Sequence, residues 1–99
     1  MKLGRIVGTV VSTQKDAGIE SLRLYVVRDL SMKLVGRESF VIAADTVGAG
    51  PGEVVLYASG SSARQTKMTD GRPIDASVIA IVDQIDIDGQ VVFDKAGEG

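Results

Sequence analysis

Apolar residues along the chain occur in short runs separated by glycine and polar clusters, a pattern typical of β-strands rather than helices. The runs predict strands over residues 3–13, 21–26, 39–44, 54–58 and 78–87, and a shorter sixth strand over residues 91–93. Asp88 followed by Gly89 predicts a tight hairpin turn into that last strand. The chain is therefore expected to be all-β, or mainly β.

The first predicted strand has apolar residues on both of its faces, with Gly4 and Gly8 on the same face as Ile6 and Val10. We therefore expect a long strand that bends at a glycine and is partly covered on both sides, as barrel strands often are. In the fifth predicted strand, the isoleucines fall on one face: Ile79, Ile81, Ile85 and Ile87.

One short helix is predicted between the fourth and fifth strands. Ser62 with Gln65 three residues later fits a capping box, and residues 63–67 provide one or two helical turns. Asp75 is expected to cap a second short turn before Val78. Together the elements predict a small five- to six-stranded OB-like β-barrel with one short helix, and a two-layer sandwich is the alternative.

Length and composition limit the chain to one small domain. Its 99 residues include no cysteine and no histidine, which removes disulfides, thiolate ligands, the usual general base and the commonest zinc ligand. We therefore predict no enzymatic activity, no cofactor and no bound metal. A single domain is expected over residues 1–95, followed by a flexible C-terminal tail over residues 96–99.

Charge and hydropathy argue against nucleic-acid and membrane partners. Eleven basic residues against thirteen acidic residues give a net charge of -2, the wrong sign for an obvious polyanion binder. No apolar stretch approaches the roughly 18 residues of a membrane span, and the first residues lack a signal-peptide core. We expect a cytoplasmic protein.

Three local patterns could indicate a phosphate site, a calcium site or a nucleophilic serine, and a structural role explains each of them better. The loop Gly48-Ala49-Gly50-Pro51-Gly52 lacks the following helix and the Gly-Lys-Ser/Thr ending of a phosphate loop, so positive φ angles and close backbone approach explain its glycines better. The aspartates at positions 83, 86 and 88 mismatch a calcium loop, where Gln84 and Lys95 would have to be ligands. The serines at positions 59, 61 and 62 have Arg64 and Lys67 nearby in sequence but lack the glycine-flanked elbow of a hydrolase, so they better suit a helix cap.

Two classes of binding remain open on the residues alone. An OB-like barrel raises single-stranded nucleic-acid binding as an alternative, although that function needs a basic groove and stacking aromatics, and this chain has only four aromatic residues. A hydrophobic content of 44% and a mean hydropathy of +0.19 instead favour apolar surface hidden against another protein. Arg64, beside a glycine-serine turn, suits an ion pair at such an interface.

Two motifs stand out along the chain: residues 44–56, with Gly48-Ala49-Gly50-Pro51-Gly52 at their centre, and Gly60-Ser61-Ser62-Ala63-Arg64. Together with residues 4–15 and 73–83, they resemble the CcmL/EutN family, the pentameric vertex proteins of bacterial microcompartment shells. The resemblance implies an OB-like barrel that assembles as a homopentamer, caps the vertices of a carboxysome or metabolosome shell, and contacts hexameric shell proteins. It also implies subunit-interface or axial-pore roles for Asp45, Gly48, Ala49, Gly50, Gly60, Ser61, Ser62, Ala63, Arg64, Pro73 and Asp75.

Overall fold

The part of the chain that the structure describes forms seven β-strands. The structure is a computed structural model that describes residues 1–11, 23–60 and 75–97. The strands are β1 (Lys2–Val10), β2 (Leu24–Leu30), β3 (Gly36–Asp45), β4 (Val54–Ser59), β5 (Ala76–Ile81), β6 (Gln84–Ile87) and β7 (Gln90–Asp94). A single 3-10 turn, Lys95–Gly97, follows β7. The predicted helix at residues 63–67 lies outside the described residues.

Five of these strands close into a barrel in the order β1-β2-β3-β5-β4. Every neighbouring pair is antiparallel except β3 and β5, which run parallel and pair Ala44 with Ser77 and Asp45 with Val78. The closed sheet confirms the predicted small barrel and not the sandwich. β6 and β7 form a separate two-stranded sheet.

The barrel interior is filled by every second side chain of the strands, as the two-residue period of a β-strand requires. On β2, Tyr25 and Val27 are almost completely buried, while their neighbours Leu24 and Val26 are only partly buried. The inner cluster consists of Ile6, Tyr25, Val27, Ala43, Ala49, Val55, Tyr57, Ala76 and Val78, with Val41 and Ile81 packed against it. Two buried tyrosines give this small core much of its volume.

A second apolar cluster covers the outside of β1 and β4. Leu3, Leu30, Val54 and Phe93 form its buried centre, so the hairpin that carries Phe93 packs onto the barrel. β1 contributes Ile6 to the inner cluster and Leu3 to the outer one. Its pairing with β2 shifts register between Ile6 and Gly8. The partial cover on both faces is confirmed for the described part of this strand, and the bend at a glycine stays a prediction.

The single strand predicted over residues 78–87 is wrong, because the chain leaves the barrel in its middle. β5 ends at Ile81, β6 begins at Gln84, and the Val82 backbone N–H donates to the Val54 carbonyl at 2.9 Å. Ile81 packs against the inner cluster and Ile85 against the outer one, so the isoleucines do not share one face. The isoleucines keep their two-residue spacing on both sides of the break between β5 and β6. The sequence pattern therefore gives no sign of the break.

Two predicted turns have different outcomes. The hairpin turn is confirmed, since Asp88 and Gly89 have φ angles of 52° and 78° between β6 and β7, as a type I′ turn requires. The short turn predicted between Asp75 and Val78 is wrong, because β5 begins at Ala76 and pairs there with Ser59.

The domain boundary at residue 95 and the flexible tail stay predictions. Within residues 1–11, 23–60 and 75–97, no helix is long and apolar enough to cross a membrane.

Gly4 tests the packing between β1 and β2. A Cβ at Gly4 would lie 2.4 Å from Val27 Cγ1 and 3.0 Å from the Arg28 carbonyl oxygen. Gly4→Ala should lower the free energy of unfolding by about 1–3 kcal/mol, measured by urea denaturation at one fixed protein concentration. Gly8→Ala is the matched control, because its Cβ would meet Val26 Cβ at an ordinary 3.7 Å. Equal effects of the two changes would contradict this account of β1.

Candidate functional site

The glycine-rich loop, defined here as residues 46–53, connects β3 to β4 and begins at a buried carboxylate. Asp45 ends β3, is 7% exposed, and its Oδ1 accepts hydrogen bonds from the backbone N–H groups of Val47 (3.1 Å) and Ala49 (3.2 Å). A short acidic side chain that accepts hydrogen bonds from amides two and four residues later favours a tight turn. Asp45 thus determines how the chain leaves β3.

The middle of the loop is fixed to the barrel core. The methyl group of Ala49 is buried in the inner cluster, and the Tyr25 hydroxyl donates to the Ala49 carbonyl oxygen at 2.7 Å. This contact gives the buried phenol of Tyr25 the polar partner it needs. The pKa of the Arg23 guanidinium is raised, chiefly by its hydrogen bond with Tyr25 and further by the Asp45 charge.

The end of the loop is hydrogen-bonded to β1. The Arg5 guanidinium donates from Nη1 to the Gly52 carbonyl at 2.8 Å. The Gly52 N–H donates to the Ile6 carbonyl at 2.8 Å, and the Ile6 N–H donates to the Glu53 carbonyl at 3.0 Å. A loop anchored at its beginning, middle and end presents one backbone shape to its surroundings.

Two glycines of this loop are required by backbone conformation rather than by crowding within the chain. Gly48 and Gly52 have φ angles of 76° and 87°, and a Cβ at either position would meet nothing within 4 Å. The predicted positive φ angles are therefore confirmed at these two positions. Close approach to a second copy of the chain stays a prediction.

Glu53 joins the loop to the C-terminal hairpin. Its Oε1 accepts the Gly50 N–H at 3.2 Å, and its Oε2 accepts the Lys95 ammonium at 2.6 Å. The pKa of Lys95 is raised, first by this hydrogen bond and further by the charges of Glu53 and Asp83. A raised pKa means that the contribution of the Lys95 charge to the stability of the fold is present at neutral pH and is lost as the pH rises through that raised value.

The structure brings the predicted site residues into two groups. Asp45, Gly48, Ala49 and Gly50 share the glycine-rich loop. Gly60, with a φ of 65°, donates its N–H to the Asp75 carbonyl at 2.8 Å, so these two residues adjoin where β4 ends and β5 begins. The other predicted residues, Ser61, Ser62, Ala63, Arg64 and Pro73, lie outside the described residues.

The two groups are linked through β5. Thr46 donates to the Val78 carbonyl from both its N–H and its hydroxyl, at 3.3 and 2.6 Å. Asp75 precedes β5, so the groups are separated by about three residues of one strand, or roughly 10 Å. They therefore lie along one side of the barrel.

Sequence reasoning missed several side chains that hold the loop, namely Arg5, Tyr25, Glu53 and Lys95. Tyr25 carried a usable signal, because a tyrosine alternating with apolar residues on a buried strand needs a polar partner for its hydroxyl. Glu53 carried another, since it directly follows the glycines. Nothing in the sequence pairs Lys95 with Glu53, which is 42 positions away. Among the described residues, no three carboxylates converge as a metal site would require.

Comparison with known proteins identifies the class to which this fold and loop belong. The sequence model described as ethanolamine utilisation protein EutN/carboxysome matches residues 1–83. The bacterial microcompartment shell vertex protein GrpN of Rhodospirillum rubrum is 46% identical over 86 residues, which cover 87% of this chain and 97% of GrpN.

Solved structures agree with the sequence matches. CcmL of Gloeobacter violaceus superposes with a TM-score of 0.92 at 36% identity, covering 97% of this chain and 99% of CcmL. The pentameric microcompartment shell protein GrpN superposes with a TM-score of 0.77 at 44% identity, covering 88% of this chain and 98% of GrpN. The chain therefore belongs to the EutN/CcmL family of microcompartment shell vertex proteins, which confirms the resemblance and the barrel fold. The relatives lend no support to the nucleic-acid alternative.

The carboxylate of Asp45 provides a test of how the loop is held. Asp45→Ala removes the acceptor of two backbone amides and should lower the free energy of unfolding by about 1–3 kcal/mol. Hydrogen exchange at the Val47 and Ala49 amides should become faster. Asp45→Asn keeps an oxygen acceptor of the same reach and should have a smaller effect. Unchanged exchange at both amides in Asp45→Ala would show that Asp45 does not hold the loop.

Proposed function

We propose that five copies of this chain close into a ring that caps a vertex of a bacterial microcompartment shell, in the cytoplasm. The observation that carries this proposal is the exposed apolar surface on the outside of the barrel. Phe40 and Ile42 on β3 are both more than half exposed, although each pairs with a residue of β2 within the barrel. Exposed side chains of this kind on a small domain mark a surface that another protein covers.

Barrel closure also limits how copies can join. The closed order of the barrel strands leaves mainly side chains and loops as contact surfaces of the barrel, while β6 and β7 form a separate two-stranded sheet. Such contacts between two different surfaces generate a ring when the rotation closes. GrpN is a pentameric shell protein, which supports a five-fold ring.

The role of the ring is geometric. A flat sheet of hexagonal units cannot close on itself, and a five-fold unit at each corner introduces the curvature that closure needs. Hexameric shell proteins are accordingly the proposed partners at the ring's rim. The glycine-rich loop and the segment from Gly60 to Arg64 are proposed to lie at subunit contacts or near the ring's axis.

A purely structural role also agrees with how the carboxylates of the candidate site are used. Asp45 holds backbone amides, and Glu53 holds a backbone amide and Lys95. Both carboxylates are thus engaged in contacts that hold the described loop in place. We therefore propose that the protein performs no chemical step.

Native mass measurement tests the ring. At micromolar concentration the dominant species should have five times the 10.4 kDa mass of the chain. Co-expression with a hexameric shell protein should then give closed particles, whereas the hexameric protein alone should give sheets, tubes or open fragments. A chain that stays monomeric across the concentrations found in cells would overturn the proposal. A pentamer that leaves the hexameric assemblies unchanged would overturn its role at the vertex.

A further inference from the structure

The C-terminal hairpin, defined here as residues 83–94, lies at the end of the region that the family shares. The family model matches residues 1–83, so both strands of the hairpin, β6 and β7, follow the matched region. The pentameric shell protein GrpN aligns over 98% of its own length with 88% of this chain. The hairpin is therefore not among the features that define the family, and it is available for a function of its own.

The hairpin is fixed to the barrel at its base. Phe93 is buried in the outer apolar cluster, and Ile85 packs against the same cluster. The Lys95 backbone N–H donates to the Asp83 carbonyl at 2.9 Å, which closes the base of the hairpin. A strand pair that is already ordered loses little conformational entropy when a partner binds to it.

Within the part of the chain that the structure describes, β6 has a strand neighbour on one side only. It pairs with β7 in a two-stranded sheet that is separate from the barrel. The two-residue turn makes Ile87 and Gln90 a hydrogen-bonded pair, so the backbone groups of Ile85 and Ile87 point toward β7. Those of Gln84 and Asp86 point to the other side, where β6 forms the edge of the sheet.

The edge of β7 is less suited to pairing with a further strand. Ile85 pairs with Phe93 and Asp86 with Val91, which leaves Val92 as an extra residue on β7. Such a bulge bends its strand and disrupts the regular spacing of the backbone hydrogen-bonding groups. The regular edge of the hairpin is therefore that of β6.

The two faces of β6 differ in chemistry. Gln84 and Asp86 are exposed on one face, where Asp86 lies opposite Val91. Ile85 and Ile87 are on the other face, which packs against the barrel at Ile85 and leaves Ile87 37% exposed. A strand added beside β6 would therefore meet a carboxylate on its outward face and isoleucines on its inward face.

The charge of the hairpin is negative throughout. Residues 83–94 contain four aspartates and no lysine or arginine, and the ammonium of the following residue, Lys95, is paired with Glu53 at 2.6 Å. A surface depression of about 560 Å³ at the base of the hairpin is lined by Asp83, Gln84, Asp94, Lys95 and Ala96. Two carboxylates border it, so it can receive a long cationic side chain. An edge with negative charges alone repels an identical edge and attracts a basic strand.

We propose that the edge of β6 binds an extended basic segment of a different protein, which adds a third strand to the hairpin. The backbone groups of Gln84 and Asp86 hold the segment by main-chain hydrogen bonds. The segment alternates basic residues, which lie beside Asp86 on the outward face, with apolar residues, which cover Ile85 and Ile87. Main-chain pairing supplies affinity and the aspartates supply selectivity for basic residues. This interaction goes beyond the proposed ring and does not depend on it.

Fluorescence anisotropy with labelled peptides provides the test, with the full chain as the titrant. The probe is a peptide of alternating lysine and valine, and it should bind at least about tenfold more tightly than a peptide of alternating glutamate and valine. A lysine–valine peptide that is N-methylated along its backbone keeps its charges and cannot donate main-chain hydrogen bonds. It should bind about tenfold more weakly than the unmethylated probe. High salt should weaken binding of the probe.

Proline substitutions locate the edge that the probe uses. Asp86→Pro removes the outward N–H of β6 together with the charge, whereas Asp86→Asn removes the charge alone, so Asp86→Pro should bind the probe about tenfold more weakly than Asp86→Asn. Val91→Pro is the matched control, because Val91 lies opposite Asp86 on the bulged strand and its N–H also points away from the partner strand. Val91→Pro should keep the affinity of the unchanged chain. Thermal unfolding of each variant controls for folding.

The outcomes distinguish strand addition from simple charge attraction. Equal binding of the plain and the N-methylated probe to the unchanged chain would overturn strand addition, and this comparison needs no variant to fold. Equal binding of the lysine and glutamate peptides would overturn the selectivity for basic residues. A loss of binding in Val91→Pro but not in Asp86→Pro would overturn the assignment to β6. A chain that is pentameric by native mass and does not bind the probe would overturn this proposal and leave the vertex ring intact.

Discussion

The short parallel pairing of β3 with β5 is the contact on which the rest of the structure depends. Only two residue pairs form it, Ala44 with Ser77 and Asp45 with Val78, yet without it the sheet would remain open. Thr46 extends it by donating twice to the Val78 carbonyl. Closure therefore requires β3 to end beside β5, and the glycine-rich loop begins at that point.

That closure also explains why the loop is held so firmly. At its start Asp45 binds two amides, in its middle Tyr25 reaches the Ala49 carbonyl, and at its end Arg5 and Glu53 join it to β1 and to Lys95. Each contact replaces water at a backbone or charged group that an irregular segment would otherwise leave unpaired. A loop with a fixed shape costs less conformational entropy when another surface packs against it.

Much of this architecture could be predicted from local patterns. Strands, the cover on both faces of β1 and the hairpin turn at Asp88-Gly89 each depend on residues that are close together in the sequence. The structure agrees with these predictions. The break after Ile81 could not be read, because isoleucines continue at period 2 while the chain moves from the inner cluster to the outer one. The contacts of Tyr25 with Ala49 and of Lys95 with Glu53 depend on closure, which juxtaposes segments that no short window contains.

The left-handed backbone at Gly48 has an energetic consequence that grows with the number of copies in a ring. An L-residue with a side chain at this position bears about 1–2 kcal/mol of steric strain, which a stable single molecule tolerates. In the proposed ring every copy would repeat the defect, so a pentamer with such a substitution would lose about 5–10 kcal/mol relative to five unfolded chains. Mutational tolerance measured on one isolated subunit would therefore underestimate the selection acting on this loop in the assembled particle.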